Sequence, residues 1–283
     1  MPNSKKISPK VLILSTYDTN GGASELTYRM AKALLKTNFE VNMLVRYKIT
    51  TEPFIFQVPL RNKRKTYFLR FINLFKRIFN LKPRVFETNS DYAFFPDEDE
   101  TVKGINVDSI MANLPFTPDI IISGLTYGFV NTSTLVELQK QTGAKVYQVM
   151  YDMSLLTGGC HVVWECKGFK EDCSNCPAII NEYFKSYAKK NLEIKLKNVN
   201  EGSIGLLVTN GWTTAQANQS TLYEAGKKRF FNIPIDVEMF TNKNRYFAKR
   251  IFNIKEESLV IFTGSVNAKD KRKGRKYLID SLT

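Results

Sequence analysis

Apolar positions along the chain follow two periods. Val11 to Ser15 is a continuous apolar run, as expected of a parallel strand covered on both faces. The loop Thr16–Gly22 (TYDTNGG) follows, and then Leu26, Met30, Ala33 and Leu34 recur at helical spacing between Ala23 and Leu35. Glu40–Val45 reads as a second strand. Strand, glycine loop, helix and strand in that order make a βαβ unit, for which a right-handed crossover is expected. The same alternation returns at Thr117–Ser123 (strand), Thr132–Thr142 (helix) and Lys145–Met150 (strand). It continues with helices over about Ala178–Val199 and Thr213–Glu224 flanking a strand at Ile204–Val208.

Two stretches interrupt the pattern. Residues 48–110 are irregular, and within them Arg61 to Arg84 holds nine Lys and Arg and no acidic residue. Phe68, Phe71, Ile72, Phe75, Ile78 and Phe79 fall on one helical face, with Arg70 and Arg77 opposite, so a basic amphipathic helix is expected. Such a helix either covers the core or sinks its apolar face into an anionic membrane surface. The other interruption is 151–177, which contains all four cysteines and the only histidine. After a Pro-containing connector at Phe230–Phe240, Leu259–Thr263 reads as a fresh strand and Gly274–Leu282 as a helix. One strand and one helix cannot bury their own faces. The expected division is therefore a first α/β lobe over 1–228 and the beginning of a second over 229–283.

Charge sharpens the picture. Against 27 Asp and Glu stand 41 Lys and Arg, a net charge of +14. Such a surplus favours anionic partners such as phosphate-bearing substrates, nucleic acid or an anionic membrane face. No recognition motif accompanies the charge, so no nucleic-acid partner is expected. No uninterrupted apolar run approaches the roughly 20 residues that a bilayer demands. The expected place is the cytoplasm, in solution or peripheral at the inner face of the plasma membrane. Reduced cysteines follow from that compartment.

The cysteines Cys160, Cys166, Cys173 and Cys176 are spaced C-x5-C-x6-C-x2-C. Four thiols on short loops suit a structural tetrahedral zinc, with His161 able to replace one thiolate. The competing readings are a disulfide pair or unligated core thiols. Gly21 and Gly22 lie between a strand and a helix start, where absent side chains let an anion reach free N–H groups; a plain tight turn is the alternative. The run Lys269–Lys276 (KDKRKGRK) is either a solvated charge run or a grip for a diphosphate through Arg272 and Lys273.

Four motifs occur together and in order: Ser15-x2-Asp18-x2-Gly21-Gly22-Ala23, the TGGCH of Thr157–His161, the cysteine spacing ending in CSNCP, and Pro234-Ile235-Asp236-x3-Phe240. That set resembles the bacterial GT4-type retaining glycosyltransferases, especially those of colanic-acid and other exopolysaccharide pathways. The resemblance implies a GT-B fold of two Rossmann-like lobes, with the acceptor on the first and a UDP- or GDP-sugar on the second. It places Gly21, Gly22, Arg272 and Lys273 at the donor diphosphate, and Tyr151, Asp152 and His161 on the acceptor side. No catalytic metal is implied. The implied acceptor is a lipid-linked glycan. Many relatives carry His-Asp where this chain has Tyr151-Asp152, and Arg where this chain has Ser265 after Gly264. On the family pattern the second lobe stops early at Thr283, so the chain is expected to be inactive alone. The rival expectation is a non-catalytic relative that binds zinc and a membrane or glycan.

Overall fold

The computed structural model describes residues 8–58, 86–95, 99–102, 104–223, 227–265, 267 and 270–282. The chain divides into two compact units at Pro234. The basic stretch from Arg61 to Arg84, expected to be an amphipathic helix, lies outside the described residues.

The first unit is an α/β domain around a seven-stranded, wholly parallel sheet. In chain order its elements are β1 (Lys10–Tyr17), α1 (Gly22–Leu35), β2 (Glu40–Tyr47), β3 (Ile55–Gln57), α2 (Val107–Met111), β4 (Ile120–Ser123), α3 (Thr132–Thr142), β5 (Lys145–Val149), α4 (Tyr187–Glu201), β6 (Gly205–Val208), α5 (Gly211–Gln219) and β7 (Lys228–Phe230). The strand order is β3-β2-β1-β4-β5-β6-β7. Val11 lies opposite Val41 and Leu14 opposite Leu44, while Leu12 faces Ile121 on the other side.

Alternation along β1 explains the layering. Val11 and Ile13 join Met30 and Ala31 of α1 in one core. Leu12 and Leu14 join Leu135 and Leu138 of α3 and Leu192 and Val199 of α4 in the other. A strand buried on both faces has to be apolar throughout, which is why β1 reads as a run rather than an alternation. Local signals fix the helix ends. Asn131 caps α3 by accepting from the Thr134 N–H, and Gly143 closes it at φ 71°. Asn210 and Thr213 form a reciprocal capping box on α5.

Because β1 lies between β2 and β4, chain progression reverses direction there. The carboxyl ends of β1 and β4 therefore diverge into loops that leave a crevice, the usual ligand site of open parallel sheets.

Three expectations are corrected. The helix expected from Ala178 begins at Tyr187, because residues 178–180 spend their backbone bonds elsewhere. Asn89 N–H donates to the Ala178 carbonyl (2.8 Å) and Ile180 N–H to that of Glu87 (3.0 Å). Asn181 then caps only a 3-10 turn, Glu182–Phe184. The stretch 48–110, expected to be irregular, contributes the strand β3 and the short helix α2. The strand expected at Leu259–Thr263 is absent: those residues pair with no other strand among the described residues, and Phe262 is 92% exposed.

The second unit holds α6 (Arg245–Ile251), a 3-10 turn at Lys271–Lys273 and α7 (Arg275–Leu282). Lys249 is buried and donates to the carbonyls of Glu256 and Ser258. No helix among the described residues is long and apolar enough to cross a membrane.

Candidate functional site

A cavity of about 870 Å³ opens at the carboxyl ends of β1, β4 and β5, at the reversal in strand order. Its wall includes Tyr17, Arg46, Tyr47, Tyr127, Tyr151 and Asp152. Tyr17 and Tyr47 are register partners on β1 and β2, and their rings stack with centroids 4.9 Å apart. The Arg46 guanidinium lies 5.2 Å from the Tyr47 ring centroid and donates to the Gly128 carbonyl. Thr16 ties the end of β1 to the loop after β4, its N–H donating to Leu125 (2.8 Å) and its hydroxyl to Tyr127 (2.8 Å).

Asp18, in the loop after β1, is fully buried. Its carboxylate accepts from the N–H groups of Thr19, Ile49 and Thr50 and from the Thr50 hydroxyl. Burial alone would raise its pKa, but the Thr50 and Ile49 N–H bonds hold it below the usual carboxylate value. Asp18 thus joins the loop after β1 to the turn between β2 and β3.

Gly21 and Gly22 sit at the N-terminus of α1, Gly21 with φ 86°. A Cβ at either would meet nothing within 4 Å, so the helix end is open. Neither lines the cavity.

Tyr151 is turned toward α1, its hydroxyl 2.9 Å from that of Thr27. Burial pushes its phenol up to about 12, only partly opposed by the Thr27 hydrogen bond. It therefore serves as a neutral polar wall, not as an acid or base near neutrality. Asp152 points into the cavity wall and holds His161 behind it, Oδ2 to Nδ1 at 2.7 Å. A carboxylate at that distance fixes the imidazole proton on Nδ1. The His161 and Phe95 rings meet edge to face with centroids 4.5 Å apart, and the His161 backbone N–H donates to the Ala93 carbonyl. Burial would raise the Asp152 pKa; the His161 hydrogen bond and charge, with the Ser154 N–H, bring it below the ordinary value. Asp152 is an anion at neutral pH. Sequence reasoning grouped Asp152 with His161, and the structure joins them, with only Asp152 lining the cavity.

The back of the cavity was not anticipated. Lys195 of α4, only 4% exposed, donates to the carbonyls of Ser154 (2.8 Å) and Thr157 (3.0 Å). Glu100 accepts from the N–H and hydroxyl of Thr132, and its own N–H donates to Asn191, whose amide reaches the Gly158 carbonyl at 3.0 Å. The available signal was a stripe of polar residues, Asn191, Lys195 and Asn198, at the spacing of α4's buried face. Lysines are so frequent in this helix that charge alone hid it.

The cysteine loop lies beside His161. Cys160, Cys173 and Cys176 are buried, Cys166 is half-buried, and all four are free thiols. Burial, followed by neighbouring sulfur charge, pushes the Cys160 thiol up to about 12; burial raises Cys173 to about 11. Among the described residues no group of three or more His, Cys, Asp or Glu is placed to hold a metal ion. Arg272 and Lys273 belong to the second unit. There Arg272 is paired with Asp270 (Nη2–Oδ2 2.6 Å) at a turn closed by Gly274, φ 65°.

No family model matches this chain, and no curated protein matches it. Among solved structures, it is similar to the crystal structure of WaaG, a glycosyltransferase involved in lipopolysaccharide biosynthesis, with 12% identity and a TM-score of 0.47. That match covers 96% of this chain and 58% of the WaaG chain, so this chain spans less than two thirds of the structure it resembles.

Proposed function

We propose that this chain is the acceptor-side part of a retaining glycosyltransferase that moves a sugar from a nucleotide-diphosphate donor to a glycan, lipid-linked, in cell-surface polysaccharide synthesis. One observation carries the reading: the cavity at the strand-order reversal combines aromatic faces with a carboxylate held ionised. Sugar rings present C–H faces that pack on tyrosine rings, and hydroxyls that donate to carboxylates. Tyr17, Tyr47 and Tyr127 supply the faces. Asp152, braced by His161, accepts from an acceptor hydroxyl and orients it toward the donor. The motif set described above supports the same reading.

On this proposal the open α1 N-terminus at Gly21-Gly22 faces the donor diphosphate. The departing diphosphate is then stabilised by the helix N–H groups there. The surplus of positive charge suits an anionic membrane carrying the acceptor.

Calorimetry and saturation-transfer NMR test the proposal, with oligosaccharide acceptors and UDP- and GDP-sugars titrated into the full chain. Acceptor glycans are expected to bind, and Tyr47→Ala or Asp152→Asn should each weaken binding by about tenfold, roughly 1.4 kcal/mol. No binding of any glycan or sugar nucleotide overturns it. Glycan binding that neither substitution weakens overturns the cavity as its site.

A further inference from the structure

We infer that the cavity selects an acceptor glycan carrying an anionic substituent, a carboxylate or a phosphate, and that Arg46 is the group that binds it. The inference rests on the glycosyltransferase reading of the cavity and adds a charge to its acceptor.

Arg46 is the penultimate residue of β2 and lines the cavity beside Tyr47. Its guanidinium is held in place from two sides. Nη1 donates to the Gly128 carbonyl, and the group lies over the Tyr47 ring, which is stacked in turn on Tyr17. The Arg46 backbone carbonyl accepts from the Gln57 amide (3.1 Å), tying β2 to β3 at the same level. A side chain fixed in this way loses little freedom when a ligand binds. Yet its charge is not matched by the protein. Among the described residues no carboxylate forms an ion pair with Arg46, and Nε and Nη2 have no protein acceptor. Those two N–H groups form the edge that takes a carboxylate or phosphate in two parallel hydrogen bonds. The other charged groups of the wall are engaged. Asp99 accepts from the Thr101 N–H and hydroxyl, Glu100 from those of Thr132, and Asp152 from the Ser154 N–H while pairing with His161. Lys195 donates to two carbonyls.

The sheet spaces the bound anion from Asp152. Strands β2 and β5 are three steps apart in the order β2-β1-β4-β5, so the chain leaves the sheet at Arg46 and near Asp152 about 14 Å apart. At that separation the Asp152 carboxylate repels the bound anion only weakly, and one glycan reaches both groups through different sugar units. Neutral donors join Arg46 on its part of the wall. Ile105 N–H donates to the Phe129 carbonyl (3.4 Å), the residue after Gly128, and this brings Asn106 and Ser109 to the cavity beside the arginine. The Asn106 amide nitrogen and the Ser109 hydroxyl bond to nothing among the described residues. A neutral sugar at this point would leave a desolvated guanidinium edge facing hydroxyls, whereas an oxyanion answers it with charge-assisted bonds.

Calorimetry on the full chain at low ionic strength compares matched oligosaccharides: a uronate-containing oligomer against its carboxyl-reduced neutral form, and a phosphorylated oligomer against its dephosphorylated form. At least one acidic member should bind about tenfold tighter than its neutral twin, and which pair shows the difference tells carboxylate from phosphate. The preference should shrink as salt rises toward about 1 M. In Arg46→Gln the acid-to-neutral ratio of affinities should fall to about one. Arg46→Lys keeps the charge but loses the fork, and should retain part of the ratio. Thermal melting checks that both variants are folded. Equal binding of acidic and neutral forms by wild-type protein, or a ratio that Arg46→Gln leaves unchanged, overturns the proposal and leaves the glycan reading standing. Inorganic phosphate, titrated alone, covers the opposite failure. If no glycan binds, the glycosyltransferase reading falls; phosphate binding that Arg46→Gln abolishes then preserves the anion site, and its absence removes both.

Discussion

Gly158 and Gly22 both belong to glycine pairs that look alike in sequence, and the structure assigns them opposite tolerances. A Cβ on Gly158 would lie 2.1 Å from the Ala188 carbonyl oxygen and 2.6 Å from its carbon, against about 3.4 Å for an ordinary contact. The shortfall is about 1.3 Å, and it is backbone against backbone, so no rotamer change relieves it. The 157–159 turn has to move away from α4. That movement stretches the Asn191 amide bond to the Gly158 carbonyl (3.0 Å) and the Lys195 bond to Thr157 (3.0 Å). Two weakened hydrogen bonds at about 1 kcal/mol each, added to about 1–3 kcal/mol of overpacking, give about 3–5 kcal/mol of destabilisation for Gly158→Ala. At about 2–4 °C per kcal/mol for a domain of this size, the melting temperature should fall by on the order of 10 °C. Gly22→Ala meets nothing within 4 Å in the first turn of α1 and should be neutral or stabilising by up to about 1 kcal/mol. Thermal and urea unfolding of the two variants side by side decide the matter. If Gly158→Ala unfolds within about 0.5 kcal/mol of wild type, or Gly22→Ala is equally damaging, the packing argument is wrong.

Other expectations rest on buried polar groups. Lys195→Met leaves the Ser154 and Thr157 carbonyls without their lysine partner and should cost about 2–4 kcal/mol in urea unfolding; an unchanged midpoint would count against that role. Asp18 has its folded-state pKa lowered from 3.8, so the stability it supplies is present above 3.8 and is lost as pH falls through the lowered value. Asp18→Asn should therefore be less stable than wild type near neutral pH, with the gap closing on acidification below 3.8; a gap independent of pH refutes it. Tyr151→Phe loses one hydrogen bond to Thr27 and should cost about 0.5–1.5 kcal/mol by thermal melting, with no new pH dependence near neutrality because the phenol titrates at about 12.

Much of the sheet was legible because parallel strands buried on both faces leave continuous apolar runs, as in β1 and β4. Helix α3 was placed to the residue, since Asn131 and Gly143 mark its ends. β3 was not legible: three residues beside an edge carry too little pattern. The late start of α4 was hidden as well, because Ile179 bridges to Thr88, ninety-one positions away, and no local signal announces that pairing. Of the candidate site, the resemblance placed Asp152 and His161 together, and the structure pairs their side chains. Lys195, Glu100 and Arg46 were missed because a charge that folds inward looks the same in sequence as one that faces water.

The cavity wall is drawn from residues between Thr16 and Val199, by way of the ends of β1 and β2 and the segments after β3, β4 and β5. No contiguous fragment contains it, and the Thr16 and Lys10 bonds to the β4 region span more than a hundred residues. Closing such loops comes late in folding, after the entropy of ordering the intervening chain has been lost. Occupancy of the cavity is therefore tied to global rather than local opening. A ligand present at a hundred times its dissociation constant would add about 2.7 kcal/mol to the stability of the whole first unit. Slower unfolding throughout the sheet, not only around the loops, would be the mark of a bound acceptor.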